Sequence, residues 1–230
     1  MNSPMGVRQT VIDSPLGVAR GGVLPWLSGG VPSANCVAAY QPKGAASLAA
    51  SYINLTGNAT YNAAPGVKPT WDAVNGWKFD GTQHLTTGVV PITAAWSVIM
   101  RVSNSSSNGL HLTGAYNPAT TRYFLMTNNV AGNIVFYASG GGGSNASPCL
   151  SGGAGVICMA GTRAYRNGID EGVTLGGGSG AAVLALYIGA SNLNDSPFQR
   201  SVVYVQAWYA YDISLTPQQA AAISAAMAAL

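Results

Sequence analysis

Apolar residues recur along this chain with two different periods. Over most of its length they come in short runs, or alternate with polar residues, as strands do. Only at the C-terminus do they recur three and four positions apart, as on a helix. Residues 95–102, Ala-Trp-Ser-Val-Ile-Met-Arg-Val, predict a strand, and further strands are expected at 110–115, 122–127, 134–139 and 155–160. Residues 162–166 and a return strand are joined by Asn167-Gly168, a dipeptide favoured in type I′ hairpins. Residues 183–188 and 202–211 complete the set. The glycine runs at 140–143 and 176–178 read as turns: neither leads into a helix or carries a following Lys-Ser/Thr, so neither is a phosphate loop.

The helix begins at Thr216, a good N-cap, with Pro217 in the first position and Gln219 completing a capping box. Ala220, Ile223, Met227 and Leu230 then share one face, which would cover the strands. Residues 1–34 show neither period. Pro4, Pro15, Pro25 and Pro32 alternate with Gly6, Gly17, Gly21, Gly22, Gly29 and Gly30, which predicts an extended arm with at most a short strand at 9–12. The chain therefore divides into an arm, 1–34, and an all-β domain, 35–230.

Composition narrows the function classes. Of 230 residues, 48% are apolar and only 7% charged, against about 25% in an average soluble domain. A surface so poor in charge suits a protein packed against neighbours, because little repulsion keeps copies apart. The net charge of +3 is spread thinly, without the basic run that nucleic-acid binding requires. No apolar stretch approaches the roughly 20 residues that span a bilayer. Met1-Asn2-Ser3-Pro4 lacks the opening of a signal peptide, so no export is expected. Asn54, Asn58, Asn104 and Asn145 fit the N-glycosylation pattern, read here as chance in an Asn/Ser/Thr-rich chain. Cys149 and Cys158 flank a Gly-rich loop that a disulfide would close; the competing reading for these and Cys36 is small buried thiols.

Several segments in order carry a family likeness. They are Val37-Ala38-Ala39-Tyr40, Trp71 to Gly76, Phe79-Asp80-Gly81 with His84-Leu85-Thr86-Thr87, Trp96-Ser97-Val98-Ile99-Met100, and Arg163 to Gly168. Tyr187-Ile188-Gly189 and Tyr211-Asp212-Ile213-Ser214-Leu215-Thr216-Pro217 follow. Together these resemble the laminin-G-like branch of the concanavalin A-like jelly rolls. The resemblance implies a two-sheet jelly-roll sandwich with one C-terminal helix, in which Asp80 and Asp212 hold corners through backbone hydrogen bonds. With its Gly/Pro arm the layout is similar to laminin-G-like proteins of phage particles. That implies a non-enzymatic virion structural protein, assembled in the host cytoplasm, whose arm meets sister subunits and other virion proteins. Capsid decoration, tail or fibre attachment and adhesion to cell-surface glycans are all implied.

Candidate chemistry is sparse. A glycosidase needs two carboxylates about 5–10 Å apart. The single glutamate, Glu171, adjoins Asp170, and neighbours on a strand face opposite ways; Asp72 and Asp80 are the remaining pair to weigh. His84 and His111 are the only histidines and read as polar strand positions. No cofactor is expected; the one metal candidate, from the likeness to calcium-binding jelly rolls, is calcium at Asn192, Asn194 and Asp195, though one carboxylate is thin support for six to eight oxygens. For a glycan-binding adhesin, the second reading, the aromatic candidates are Trp26, Trp71, Tyr116, Tyr123 and Tyr137. The most ligand-like group is Tyr116 with Asn117 and Tyr123. Trp96 and Trp208 are expected in the core.

Overall fold

The ten-residue strand Val202–Tyr211 shows how this sequence builds layers. Val203, Val205, Trp208 and Ala210 pack into one buried cluster; Ala207, Tyr209 and Tyr211 pack into another on the opposite face. Strict alternation would put 207, not 208, with 203 and 205. A register irregularity between Val205 and Ala207 inserts one residue, Gln206, and switches the parity. Trp208 is thereby delivered to the core. A strand apolar on both sides must be covered on both sides, and the rest of the fold supplies the covers.

The chain was analysed as a computed structural model that describes residues 24–93, 95–105, 110–117, 122–128, 133–138, 144–148, 155–175 and 183–230. In chain order the strands are β1 (Cys36–Tyr40), β2 (Ala64–Val67), β3 (Thr70–Asp72), β4 (Gly76–Asp80), β5 (His84–Thr86), β6 (Ser97–Ser103), β7 (Leu110–Asn117), β8 (Arg122–Asn128) and β9 (Asn133–Ala138). They continue with β10 (Ser144–Pro148), β11 (Gly155–Ala160), β12 (Arg163–Arg166), β13 (Ile169–Thr174), β14 (Tyr187–Ile188), β15 (Ser191–Leu193), β16 (Ser196–Phe198) and β17 (Val202–Tyr211). One turn of helix, α1 (Leu48–Ser51), and the C-terminal helix α2 (Pro217–Ala228) complete the elements used below. The expected strand at 183–188 is shorter than its hydrophobic run, since only Tyr187 and Ile188 pair.

The first sheet has the order β13-β12-β11-β6-β17-β4-β3, and β1 also pairs with β17, taking the half of its edge that β4 leaves. The second runs β10-β9-β8-β7-β14-β5-β2, with the β15–β16 hairpin joined to the far end of β7. Between the sheets lies the main core, where Tyr40 stacks on Trp208 at 5.5 Å and tilts against Trp77 at 5.9 Å. Both indole N–H groups are satisfied: Trp208 donates to Thr113 Oγ1 of the second sheet and Trp77 to Ser51 Oγ of α1. The architecture is thus an all-β two-sheet sandwich with one long C-terminal helix.

A second apolar layer covers the outer face of the first sheet. Ala220, Ile223 and Met227 of α2 pack on Ile99, Val156, Cys158, Tyr209 and Tyr211. Thr216 and Gln219 form the expected reciprocal capping box. Residues 24–35, from the stretch predicted as an arm, belong to this layer. Trp26 is only 4% exposed, its ring meets Tyr209 edge-on at 6.0 Å, and its carbonyl accepts from the Tyr211 hydroxyl. The strand expected at 9–12 lies outside the described residues. Cys36 and Cys158 are buried free thiols, and burial pushes both up, Cys36 to about 12. Cys149 lies outside the described residues.

The Asn167-Gly168 turn forms as predicted: both residues have positive φ, 51° and 81°, and Arg166 pairs with Ile169 across it. Asp80 holds its corner by accepting from Thr82 N and Oγ1. Asp212 does so differently, accepting from the Asn35 side-chain amide while its own backbone N–H donates to Asn35 O.

Candidate functional site

Because α2 and residues 24–35 cover the outer face of the first sheet, the outer face of the second is, among the described residues, the sheet face left for a ligand. Leu85, Leu112, Ala115 and Ile188 point into the core, so by alternation His84, His111, Tyr116 and Tyr187 point outward. His84 on β5 and Tyr187 on β14 face each other with ring centroids 5.2 Å apart. His111 on β7 meets the Phe198 ring edge-on at 5.7 Å, and its Nδ1 lies 2.7 Å from Ser191 Oγ. Phe198 is 39% exposed and is the open aromatic of this cluster.

The β15–β16 hairpin brings the two predicted candidate groups together. Asn192 pairs with Ala115 and Leu193 with Tyr116, while Tyr116 pairs on its other side with Tyr123. Tyr116 and Asn117 are half-buried and end strand β7 instead of forming a loop. Tyr123 is described in its backbone only, and its side chain, like that of Tyr137, lies outside the described residues. Trp26 is corrected to a core residue, and Trp71 is half-buried with its indole N–H given to Pro42 O.

The calcium candidates have turn chemistry. Asn194 and Asp195 are the two central residues of the hairpin, with φ 49° and 61°, and Leu193 pairs with Ser196 across them. Asn192 is fully buried; its oxygen accepts from Asp195 N and its amide donates to Ala185 O. That leaves Asp195 as the only carboxylate, a donor set that does not fit a cation seeking six to eight oxygens. Among the described residues no three His, Cys, Asp or Glu side chains gather as metal ligands.

The carboxylates considered for hydrolysis are apart and engaged. Asp72 lies opposite Gly76, and Asp80 is at the other end of β4, roughly 13 Å away at about 3.3 Å per residue. Asp72 accepts from Val74 N and Asn75 N and pairs with Lys78 at 2.6 Å. Glu171 pairs with Arg166 at 2.9 Å, and Asp170 accepts from Gly172 N.

Burial sets the protonation of the site. His111 is lowered to about 4 by desolvation, so it is neutral in the folded state at pH 7. Unfolded, it would titrate near 6.5. Full stability therefore holds above about pH 6.5 and is lost as pH falls toward 4, because the unfolded chain binds the proton first. The loss expected over that window is roughly 3 kcal/mol. Thermal melts between pH 7.5 and 4 should show it, and His111→Gln should flatten most of the dependence; an unchanged profile would contradict it. Tyr187 is raised by its burial and then by the Asp195 carboxylate.

Sequence reasoning missed His84, Tyr187, Phe198 and Arg200 as a group. Alternation around Leu85 and Ile188 places two of them outward. Nothing local marks Phe198 and Arg200, which reach the face because Arg200 bridges to His111.

No family model matches the chain, and no curated protein matches it. Solved structures do. Trypanosoma rangeli sialidase in complex with sialic acid aligns with a TM-score of 0.60 at 14% identity, over 84% of this chain and 33% of that one. The same sialidase with the inhibitor DANA gives 0.58 at 15% identity, over 91% and 36%. A point mutant of HCR/D gives 0.56 at 11%, over 84% and 52%. The chain thus spans a third to a half of the chains it matches. At such identities the likeness shows the β-sandwich fold.

Proposed function

We propose that this chain is a non-enzymatic binding module displayed at a virion surface. It attaches through the segment preceding Leu24 and meets saccharides with the outer face of its second sheet. The observation that carries the reading is the two-sidedness of the sandwich. Residues 24–35 and α2 cover one face, and Leu24, the first described residue, packs against that layer. The opposite face presents Phe198 and the half-buried Tyr116 and Arg200, and holds the buried His84. Aromatic edges beside polar groups are what a sugar requires, apolar C–H faces to stack and hydroxyls to bond.

The virion setting rests on the likeness to laminin-G-like phage proteins and on the low charge of the chain. The saccharide class is supported by neighbours whose names include a sialidase bound to sialic acid. Hydrolysis is the weaker reading, because Asp72, Asp80, Asp170 and Glu171 are tied into turns and ion pairs. A glycan array probed with the full chain tests the proposal: saccharide binding lost on Phe198→Ala, with the melting temperature kept, is the expected result. No binding at high avidity would overturn it.

A further inference from the structure

The outer face of the second sheet holds two basic side chains, each with a nitrogen left unpartnered among the described residues. Arg200 Nε and His84 Nδ1 are both buried and make no hydrogen bond among the described residues. His84 is only 6% exposed. A buried polar group left without a partner destabilises the fold, a charged one more so, so two such groups on one sheet face mark a place built for something else.

The surroundings fix the imidazole. On one side the backbone of Gly66 in β2 lies so close that a Cβ there would fall 2.0 Å from His84 Nε2. On the other side stands the Tyr187 ring at 5.2 Å. Arg200, half-buried, is near enough for its charge to act on His84. Among the described residues no ion pair joins a carboxylate to either side chain. The ion pairs among the described residues join Lys78 to Asp72, Arg163 to Asp170 and Arg166 to Glu171, and Arg200 is in none of them. Asp195 acts instead on the Tyr187 hydroxyl.

We propose that Arg200 and His84 form an oxyanion subsite, so that the saccharide taken by this face is an acidic one, carrying a carboxylate or a sulfate ester. The inference rests on the saccharide reading above. The guanidinium fork matches two oxygens of such a group, and the clamped imidazole supplies a further donor. Unliganded, His84 is lowered by burial and then by Arg200. A bound anion opposes both effects and favours the imidazolium. Binding therefore takes up a proton, and affinity rises as pH falls from 7.5 to 5.5.

The test is calorimetry of the full chain against matched saccharide pairs. These are uronate-containing, sialylated and sulfated oligosaccharides, each with its methyl-esterified, asialo or desulfated partner, at pH 5.5 and 7.5 and constant ionic strength. The expected result is at least about tenfold tighter binding of an acidic member. Arg200→Gln should remove that margin and Arg200→Lys keep part of it, with unchanged melts for both. His84→Gln should flatten the pH dependence. The carboxylate and sulfate arms identify the group. Equal affinity within every pair would overturn the subsite while leaving the saccharide reading in place. Silence from every saccharide would overturn both. Sodium sulfate binding as tightly as the best oligosaccharide would reduce the site to a simple anion site and overturn its assignment to sugars.

Discussion

Gly76→Ala is expected to destabilise the protein by at least about 3 kcal/mol. Gly76 closes the β3–β4 hairpin with φ +76°, a left-handed conformation that L side chains rarely adopt. Its other constraint is spatial. A Cβ at this position would lie 2.3 Å from Val205 O and 3.2 Å from Gln206 Cα, on the bulge of β17. These are backbone atoms and cannot rotate aside. The strands would have to separate where the bulge sets the parity that sends Trp208 inward. Gly30 is the control, since its φ is +73° with nothing within 4 Å; alanine there should cost only about 1–2 kcal/mol. Urea unfolding of both variants checks the prediction, and equal costs would contradict it.

Deleting residues 1–30 is expected to cost about 3–5 kcal/mol more than deleting residues 1–23. Both cuts fall in the stretch that composition alone reads as a single arm. The longer one removes Trp26, which is buried against Tyr209 and whose backbone carbonyl accepts a hydrogen bond from the Tyr211 hydroxyl. It also uncovers the apolar layer beneath α2. The shorter cut keeps every described residue of that layer. Chemical denaturation of the two truncations, with Trp26→Ala in the full chain, measures the difference. Trp26→Ala should reproduce most of the loss. Equal stability of the two truncations would mean that residues 24–30 contribute no packing. The shorter cut is therefore the test of the attachment proposed above: on that proposal it abolishes incorporation into a virion while the body stays folded.

These cases show which parts of the molecule could be read from local sequence. Asn167-Gly168 and the Thr216–Gln219 capping box are local devices whose chemistry is complete within a few residues, and both form as written. Trp96 and Trp208 are core residues as their strands imply. Ser144–Pro148 and the β15–β16 hairpin have little apolar pattern of their own and exist by pairing with neighbours. Proline and glycine made residues 24–34 look like a continuation of the arm, although Trp26 and Val31 within them are buried. The candidate site was less legible still. Tyr116 and Asn192 were visible as candidates, but only the parallel pairing of β15 on β7 makes them neighbours. His84 and Arg200 carry no shared motif, and Arg200 reaches this face only through its bridge to His111.

The central proposal is that ligand is met on the outer face of the second sheet, opposite the face covered by α2 and residues 24–35. Backbone chemical-shift mapping of the full chain with the tightest saccharide of the matched pairs tests it most directly. The account predicts shifts clustered on His84, Tyr187, His111, Phe198 and Arg200, with α2 and Trp26 silent. Shifts clustered on α2 and residues 24–35, or no saccharide tight enough to map, would contradict it.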